Sequence, residues 1–272
     1  MTSYADIDWN LLWQQERRKK SWKHKDNKEW DKRAPSFAKR NKDSDFSGLL
    51  LAMTRPRPSW SVLDVGCGPG TLAIPLSRLV RRVTAMDFSQ QMLAQLAGQM
   101  EAAHVDTIRA VHASWSDDWQ QCGVERHDLV LAARSLAVDD MAAALTKMMQ
   151  WAKQEVMVVD RVGAGPFDPD LFAALGRPFD PGPDFIFTLN ILLQMGITPT
   201  LDYLEFDRQR RYADRQEALA GCGWMVDDLS GVERSRLGHY VDERLTANRD
   251  GSVTLTRRQP VKWAVIRWSV NG

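Results

Sequence analysis

From residue 60 onward, short apolar runs alternate with longer segments whose apolar positions repeat every three to four residues. That is the pattern of buried parallel strands joined by helices. Ser61–Val65 reads as a first strand and Thr71–Leu79 as its helix. Val83–Met86 reads as a second strand and Gln90–Ala103 as the helix after it, with Ser89 a natural N-cap. Ile108–Ala113, Asp128–Ala133 and Glu155–Val159 give three further strands, with a helix over Asp139–Ala152. The alternation predicts an α/β fold built on a mostly parallel sheet with right-handed crossovers.

The flanks follow other patterns. Residues 8–32 are polar and helix-prone, with Trp9, Leu12 and Trp13 at i, i+3, i+4 spacing and Trp22 and Trp30 further on. Ser44–Thr54 reads as a short amphipathic helix, stopped by Arg55-Pro56-Arg57-Pro58. Past Gly163 the alternation ceases. Six prolines lie between Pro166 and Pro199, around an apolar helical segment, Phe185–Met195. Asp202–Tyr212 is strand-like, Gln216–Ala220 a short helix, and 230–246 a second helix carrying Leu237, Tyr240, Val241 and Leu245. Ser252–Arg258 and Val261–Val270, flanking Gln259-Pro260, predict an antiparallel hairpin whose second strand, apolar on both faces, lies inside the sheet. The expected organisation is an N-terminal helical segment (1–54), a core (55–162), an insertion or cap with one core strand near 202–212 (163–251), and a C-terminal hairpin (252–272).

Composition adds limits. Of 272 residues, 44% are hydrophobic, enough to bury a full core. The net charge of +1 is unevenly spread, because residues 1–42 hold twelve Lys and Arg against six Asp and Glu. Such a segment is either a solvated helical face or a contact for an acidic partner. Cys67, Cys122 and Cys222 have neither disulfide nor zinc spacing. No apolar run approaches the roughly 20 residues that cross a bilayer, and no signal peptide opens the chain, so a cytoplasmic protein without a membrane partner is expected.

The chemistry concentrates in Val62-Leu63-Asp64-Val65-Gly66-Cys67-Gly68-Pro69-Gly70-Thr71. A strand that runs into glycines at a helix N-terminus is suited to a nucleotide-like ligand. A dinucleotide fingerprint starting at Gly66 needs a glycine where Thr71 stands. The acid two residues before Gly66 would also face pyrophosphate. A ligand with an ammonium and a sulfonium but no phosphate suits Asp64 better, which favours S-adenosylmethionine.

This stretch closely resembles motif I of the class I S-adenosylmethionine-dependent methyltransferases, and the resemblance runs from about Trp30 to Val159. It implies a three-layer Rossmann-like sheet with the last strand antiparallel, N-terminal helices and an inserted helical cap. It also implies S-adenosylmethionine as cofactor and S-adenosylhomocysteine as product. By resemblance, Asp64, Gly66, Cys67, Gly68 and Gly70 form the donor turn, Asp87 binds both ribose hydroxyls, and Phe88 packs on adenine. Ser114 and Trp115 fall where the family contacts the adenine edge and face. Arg134, in Ala132-Ala133-Arg134-Ser135, falls beside the methionine moiety. Phe37, in Trp30-x-x-x-Ala34-x-x-Phe37, belongs to the segment that folds over the cofactor. One departure is that His112-Ala113-Ser114-Trp115 stands where the family often carries an acid.

Methyl transfer is an in-line displacement, and a base is needed only if the acceptor holds a proton of high pKa. His112, Arg134, Asp139, Asp160 and Arg161 lie near strand ends, and none is singled out as a base. Arg134 could pair with a carboxylate of the cofactor or substrate, or with Asp139 or Asp140. The run after strand four lacks the D/N-P-P-aromatic pattern of base-amino methylation, and no cysteine stands in a Pro-Cys pair. The apolar insertion suggests a lid over a small organic acceptor. RNA or protein methylation through the basic N-terminal segment is the alternative, and a non-catalytic cofactor-fold protein is the second. The oligomeric state is left open.

Overall fold

A computed structural model of the chain describes residues 3–20, 27–41 and 45–270. After a 3-10 turn at Tyr4–Asp6 come three helices: α1 (Trp9–Lys19), α2 (Asn27–Asn41) and α3 (Asp45–Thr54). The alternating part follows as β1 (Ser61–Val65), α4 (Ala73–Ser77), β2 (Arg82–Asp87), α5 (Gln90–Ala103), β3 (Ile108–His112), β4 (His127–Ala133), α6 (Met141–Trp151) and β5 (Ala152–Arg161). Next come α7 (Pro169–Leu175), α8 (Phe185–Gln194), β6 (Thr200–Glu205), β7 (Gln209–Tyr212), α9 (Arg215–Gly223), α10 (Gly231–Asp242), β8 (Leu245–Ala247), β9 (Val253–Thr256) and β10 (Lys262–Ser269).

Seven strands form one sheet in the order β3-β2-β1-β4-β5-β10-β6. The first five are parallel, and β10 enters antiparallel between β5 and β6. Alternation along each strand divides the interior. Leu63, Val65, Val130 and Val156 face a core with α6, α8 and α1, while Val62, Leu129 and Met157 face one with α3 and α4. A fully buried β1 explains why Val62, Leu63 and Val65 are apolar on both faces, with Ser61 bonded to Asp128. Among the described residues, no helix is long and apolar enough to cross a membrane.

Five sequence expectations need correction, one of them the helix over 230–246, which ends at Asp242 so that Leu245 opens β8 instead. The 252–272 hairpin does not form, because β9 pairs with β7 and β8 in a separate three-stranded sheet while β10 joins the main one. The reason lies in the patterning. Val253 and Leu255 alternate with Thr254 and Thr256, which suits a half-covered sheet over α9 and α10, whereas β10 is buried on both faces. Likewise 202–212 is not one core strand, since β6 belongs to the main sheet and β7 to the small one. Phe206 N–H still donates to Val261 O, and Arg257 N–H to Arg208 O, so β6–β7 and β10–β9 run as one bent antiparallel ribbon. The helix expected over Thr71–Leu79 spans only Ala73–Ser77, and Leu72 offers its N-terminus no side-chain cap. The reading of a helix across 8–32 resolves into α1 and the start of α2, and Trp22 lies outside the described residues.

Candidate functional site

The carboxyl ends of β1, β2 and β4 meet around the glycine turn. Gly66, Gly68 and Gly70 have φ of 73°, 55° and 89°, in the left-handed region that side chains resist. Gly66 also has no room. A Cβ there would lie 2.4 Å from Ser135 Cβ, in the loop after β4. Ser135 closes this contact by donating its hydroxyl to Val65 O at 2.5 Å. Gly66 N–H and Cys67 N–H both donate to Met86 O, at 2.7 and 3.0 Å, so the turn folds back over the end of β2. The Cys67 thiol is buried and its pKa is raised, chiefly by burial and then by Asp64 and Asp87.

Asp87 ends β2 and is buried. Its Oδ2 accepts from Gly68 N–H at 2.8 Å and its Oδ1 from Ser89 N–H at 2.9 Å. Burial raises its pKa, against the pull of these amides and of His112. Each carboxylate oxygen has a second acceptor site, so bonds to ribose hydroxyls remain compatible with this arrangement. Asp64 is 2% exposed, and its Oδ2 is buried without a hydrogen-bond partner among the described residues. Burial, and secondarily Asp87, pushes its pKa up to about 7. A buried, unsatisfied carboxylate oxygen is costly unless a ligand meets it.

Helix α2 lies over this turn. Phe37 Cε1 is 3.8 Å from where a Gly68 Cβ would be, and its ring stands edge-on to Trp30 at 5.7 Å. Asp31 fixes the helix in place, with Oδ1 accepting from Ser89 Oγ at 2.6 Å and from Gln91 N–H at 3.3 Å. Sequence reasoning passed over Asp31, because its partners are some sixty residues away and the flanking Trp30 and Phe37 carry the visible pattern. Ser135 was seen only as part of a run.

The remaining expected residues are placed as follows. Phe88 is partly buried, and its carbonyl lies 3.0 Å from His112 Nε2, so exposed His112 is a strand-end residue rather than a core one. Ser114 N–H donates to Asp117 Oδ2 at 2.8 Å, and its Oγ is 2.9 Å from Ser116 Oγ. Trp115 packs toward α6 with Trp119, at a centroid distance of 5.5 Å, and donates Nε1–H to Ser135 O at 3.1 Å. Its indole thus ties the β3 and β4 loops together. Arg134 has a left-handed φ of 60°, and its guanidinium sits 4.0 Å above the Phe46 ring and 5.6 Å from Trp263. Burial lowers its pKa to about 10. Asp139 instead pairs with Arg17 at 3.0 Å, and Asp140 caps α6 while accepting from Asn10. Asp160 is partly buried beside α8, accepts from Thr188 Oγ1 at 2.9 Å, and its pKa is pushed up to about 6 by desolvation.

The donor set fits a particular group. A cramped glycine turn, one buried carboxylate with an orphaned oxygen and a second at the next strand end suit a cationic adenosyl compound. Together with the strand order, they are the features of an α/β fold whose crevice at the topological switch point suits a nucleotide-like cofactor. A family model described as a methyltransferase domain matches residues 62–155. An uncharacterised protein of Haemophilus influenzae is 32% identical over 245 residues, covering 89% of each chain. Malonyl-acyl-carrier-protein O-methyltransferase of Pseudescherichia vulneris is 35% identical over 94 residues, 32% of this chain and 38% of that protein. In fold, the chain is similar to the crystal structure of a candidate methyltransferase of Bacillus halodurans C-125, with a TM-score of 0.55 at 12% identity over 84% of this chain and 99% of that one. The chain thus carries a methyltransferase domain over residues 62–155, within a Rossmann-like α/β fold.

Proposed function

We propose that this chain transfers a methyl group from S-adenosylmethionine to a small organic acceptor by in-line displacement. The observation that carries the donor assignment is the buried Oδ2 of Asp64 beside the glycine turn, without a hydrogen-bond partner among the described residues. Asp64 would take the ammonium, Asp87 the ribose hydroxyls, and Gly66, Cys67, Gly68 and Gly70 the close backbone approach. Phe88 and Ser114 would border the adenine, with Arg134 on the methionine side. When bound, the cofactor supplies a methyl carbon activated by its sulfonium. The protein's part is to align the acceptor and keep water out. Phe37, fixed over Gly68 through α2 and Asp31, serves the second purpose.

Support for a small acceptor comes from the roof over the ends of β4 and β5. There α1 and α8 meet through Trp9 and Trp13 against Phe187, at centroid distances of 5.9 and 6.3 Å. Trp13 Nε1–H donates to Val138 O at 3.0 Å and holds the roof to the loop after β4. An apolar cover at the strand ends suits a small ligand better than a polymer. The test is thermal shift followed by transfer. S-adenosylhomocysteine should raise the melting temperature of the wild type, with the shift abolished in Asp87→Ala. Stabilisation by NADH but by neither adenosyl compound would refute the donor assignment. With deuteromethyl S-adenosylmethionine and a whole-cell extract, label in the small-molecule fraction supports the acceptor class; label confined to RNA or protein overturns it.

A further inference from the structure

The main sheet ends at β6, which has β10 on one side and, among the described residues, no strand on the other. Its register on β10 runs without a break from Glu205–Lys262 to Thr200–Arg267. Phe206 N–H donates to Val261 O, so by the alternation of an antiparallel ladder Leu204, Asp202 and Thr200 bond β10. On the opposite side of β10, Val162 N–H donates to Lys262 O, which gives the same phase. The backbone N–H and C=O groups of Leu201, Tyr203 and Glu205 therefore face the open edge. Such an edge is usually blunted by lysine, proline or a bulge. Thr200–Glu205 has none of these. Of its two acids, Glu205 pairs with Lys262 at 2.6 Å. The far edge, β3, differs in carrying exposed Arg109 and His112.

The surface beside this edge is apolar. No charged residue stands between Asp184 and Asp202. Tyr203 is 49% exposed, and its ring meets that of Phe185, the first residue of α8, edge-on at 5.7 Å. Ile186 and Leu193, two turns apart on α8, are exposed as well, and so is Met195 just after it. Large apolar side chains grouped on one uncharged segment mark a contact surface. The charges on β6 indicate which partner fits. When β6 is laid antiparallel on β6 of a second copy, with a twofold axis at Tyr203, Leu204 comes opposite Asp202 and Glu205 opposite Leu201. No acid then faces an acid, so the strand is complementary to itself. That axis is perpendicular to the sheet, which leaves both α8 helices on one face, beside the two Tyr203 rings. A single extended peptide would satisfy the edge and leave α8 uncovered. A second copy covers both, in the isologous contact of a C2 dimer.

We propose that the protein is a twofold dimer in which the β6 strands of two copies pair antiparallel at Tyr203, joining the main sheets into one, with the exposed sides of α8 meeting across the seam. Sedimentation velocity of the full chain from about 1 to 100 µM should reach twice the chain mass at the upper end. The Tyr203 N–H takes no part in pairing with β10, so Tyr203→Pro removes an outward donor at the axis and leaves the sheet intact. Tyr203→Pro and, independently, Ile186→Lys should each weaken self-association at least about tenfold, with far-UV circular dichroism at wild-type level. Facing residues at such a pair have Cα atoms about 5.5 Å apart, within disulfide reach. Mild oxidation of Tyr203→Cys should therefore link two chains through a peptide carrying residue 203 from each. A chain that stays monomeric to about 100 µM overturns the proposal and leaves β6 to an extended peptide or another partner. A dimer that folded Tyr203→Pro leaves as tight as the wild type overturns it too. Should Tyr203→Pro lose its dichroism, Ile186→Lys and the cross-link decide: undiminished association and no link through residue 203 refute the seam.

Discussion

Replacing Asp64 with Asn should make the protein more stable and a poorer binder of its cofactor, and both effects can be sized from the structure. In the folded chain Asp64 keeps its proton up to about pH 7, against 3.8 for an ordinary aspartate. Between those values the folded state holds the extra proton, so the contribution of this group to stability falls as pH rises through the window and is lowest above pH 7. The gap corresponds to about 4 kcal/mol. Asparagine removes that term and leaves a buried amide to satisfy, at a cost of about 1–3 kcal/mol. The net gain is about 1–3 kcal/mol, or roughly 2–6 °C in melting temperature for a chain of this size. Scanning calorimetry without ligand, from pH 4 to 8.5, should show Asp64→Asn gaining on the wild type as pH rises. Titration calorimetry at pH 8.5 should show weaker S-adenosylhomocysteine binding by Asp64→Asn. 5′-Methylthioadenosine, which lacks the amino-acid group, should bind both proteins alike. Equal loss of both ligands, or no gain in stability at high pH, would refute the ammonium assignment.

Gly66→Ala places a methyl group 2.4 Å from Ser135 Cβ at a φ of 73°, and should cost roughly 2–4 kcal/mol in urea melts together with S-adenosylhomocysteine binding. Asp31→Ala removes the acceptor for Ser89 Oγ and Gln91 N–H; about 1–2 kcal/mol of stability should go, with faster hydrogen exchange in α2 and weaker cofactor binding. His127 is held neutral against Thr84, with its pKa lowered to about 4, mainly by burial. Its contribution is complete above pH 6.5 and is lost as pH falls toward 4, by about 3 kcal/mol, so His127→Gln should flatten the acid limb of urea midpoints.

The strands of the parallel core were legible because burial on both faces leaves little but apolar residues; β1 runs over Ser61–Val65 and α5 starts after Ser89, both as expected. Asp64 and the glycines pointed to the proposed donor site because a cramped turn and an isolated acid are local features. What was not legible depends on partners distant in sequence. Nothing near Val253 says that it will pair with Tyr212 rather than fold back on Val261–Val270. Trp115 packs on Trp119, a contact that nothing in its local sequence announces. Arg17 looked like part of a solvated basic segment because helical phase alone does not say which face meets the sheet.

The bent ribbon of β6–β7 against β10–β9 has a kinetic consequence. In the main sheet β6 pairs with β10 alone, so its docking waits on a segment more than fifty residues away. Closing a loop of roughly that length costs about 3.5 kcal/mol of chain entropy before any contact repays it. The small sheet shortens the search. Once β8 and β9 zip, with only five residues between them, and β7 joins β9, the ends of β6 and β10 are already adjacent. Pairing can then propagate from Arg208–Arg257 through Phe206–Val261 into the seven-stranded sheet, residue by residue. The satellite sheet, far from the glycine turn in sequence, is thus placed to nucleate the last step of core assembly, and mutations there should slow folding before they touch chemistry.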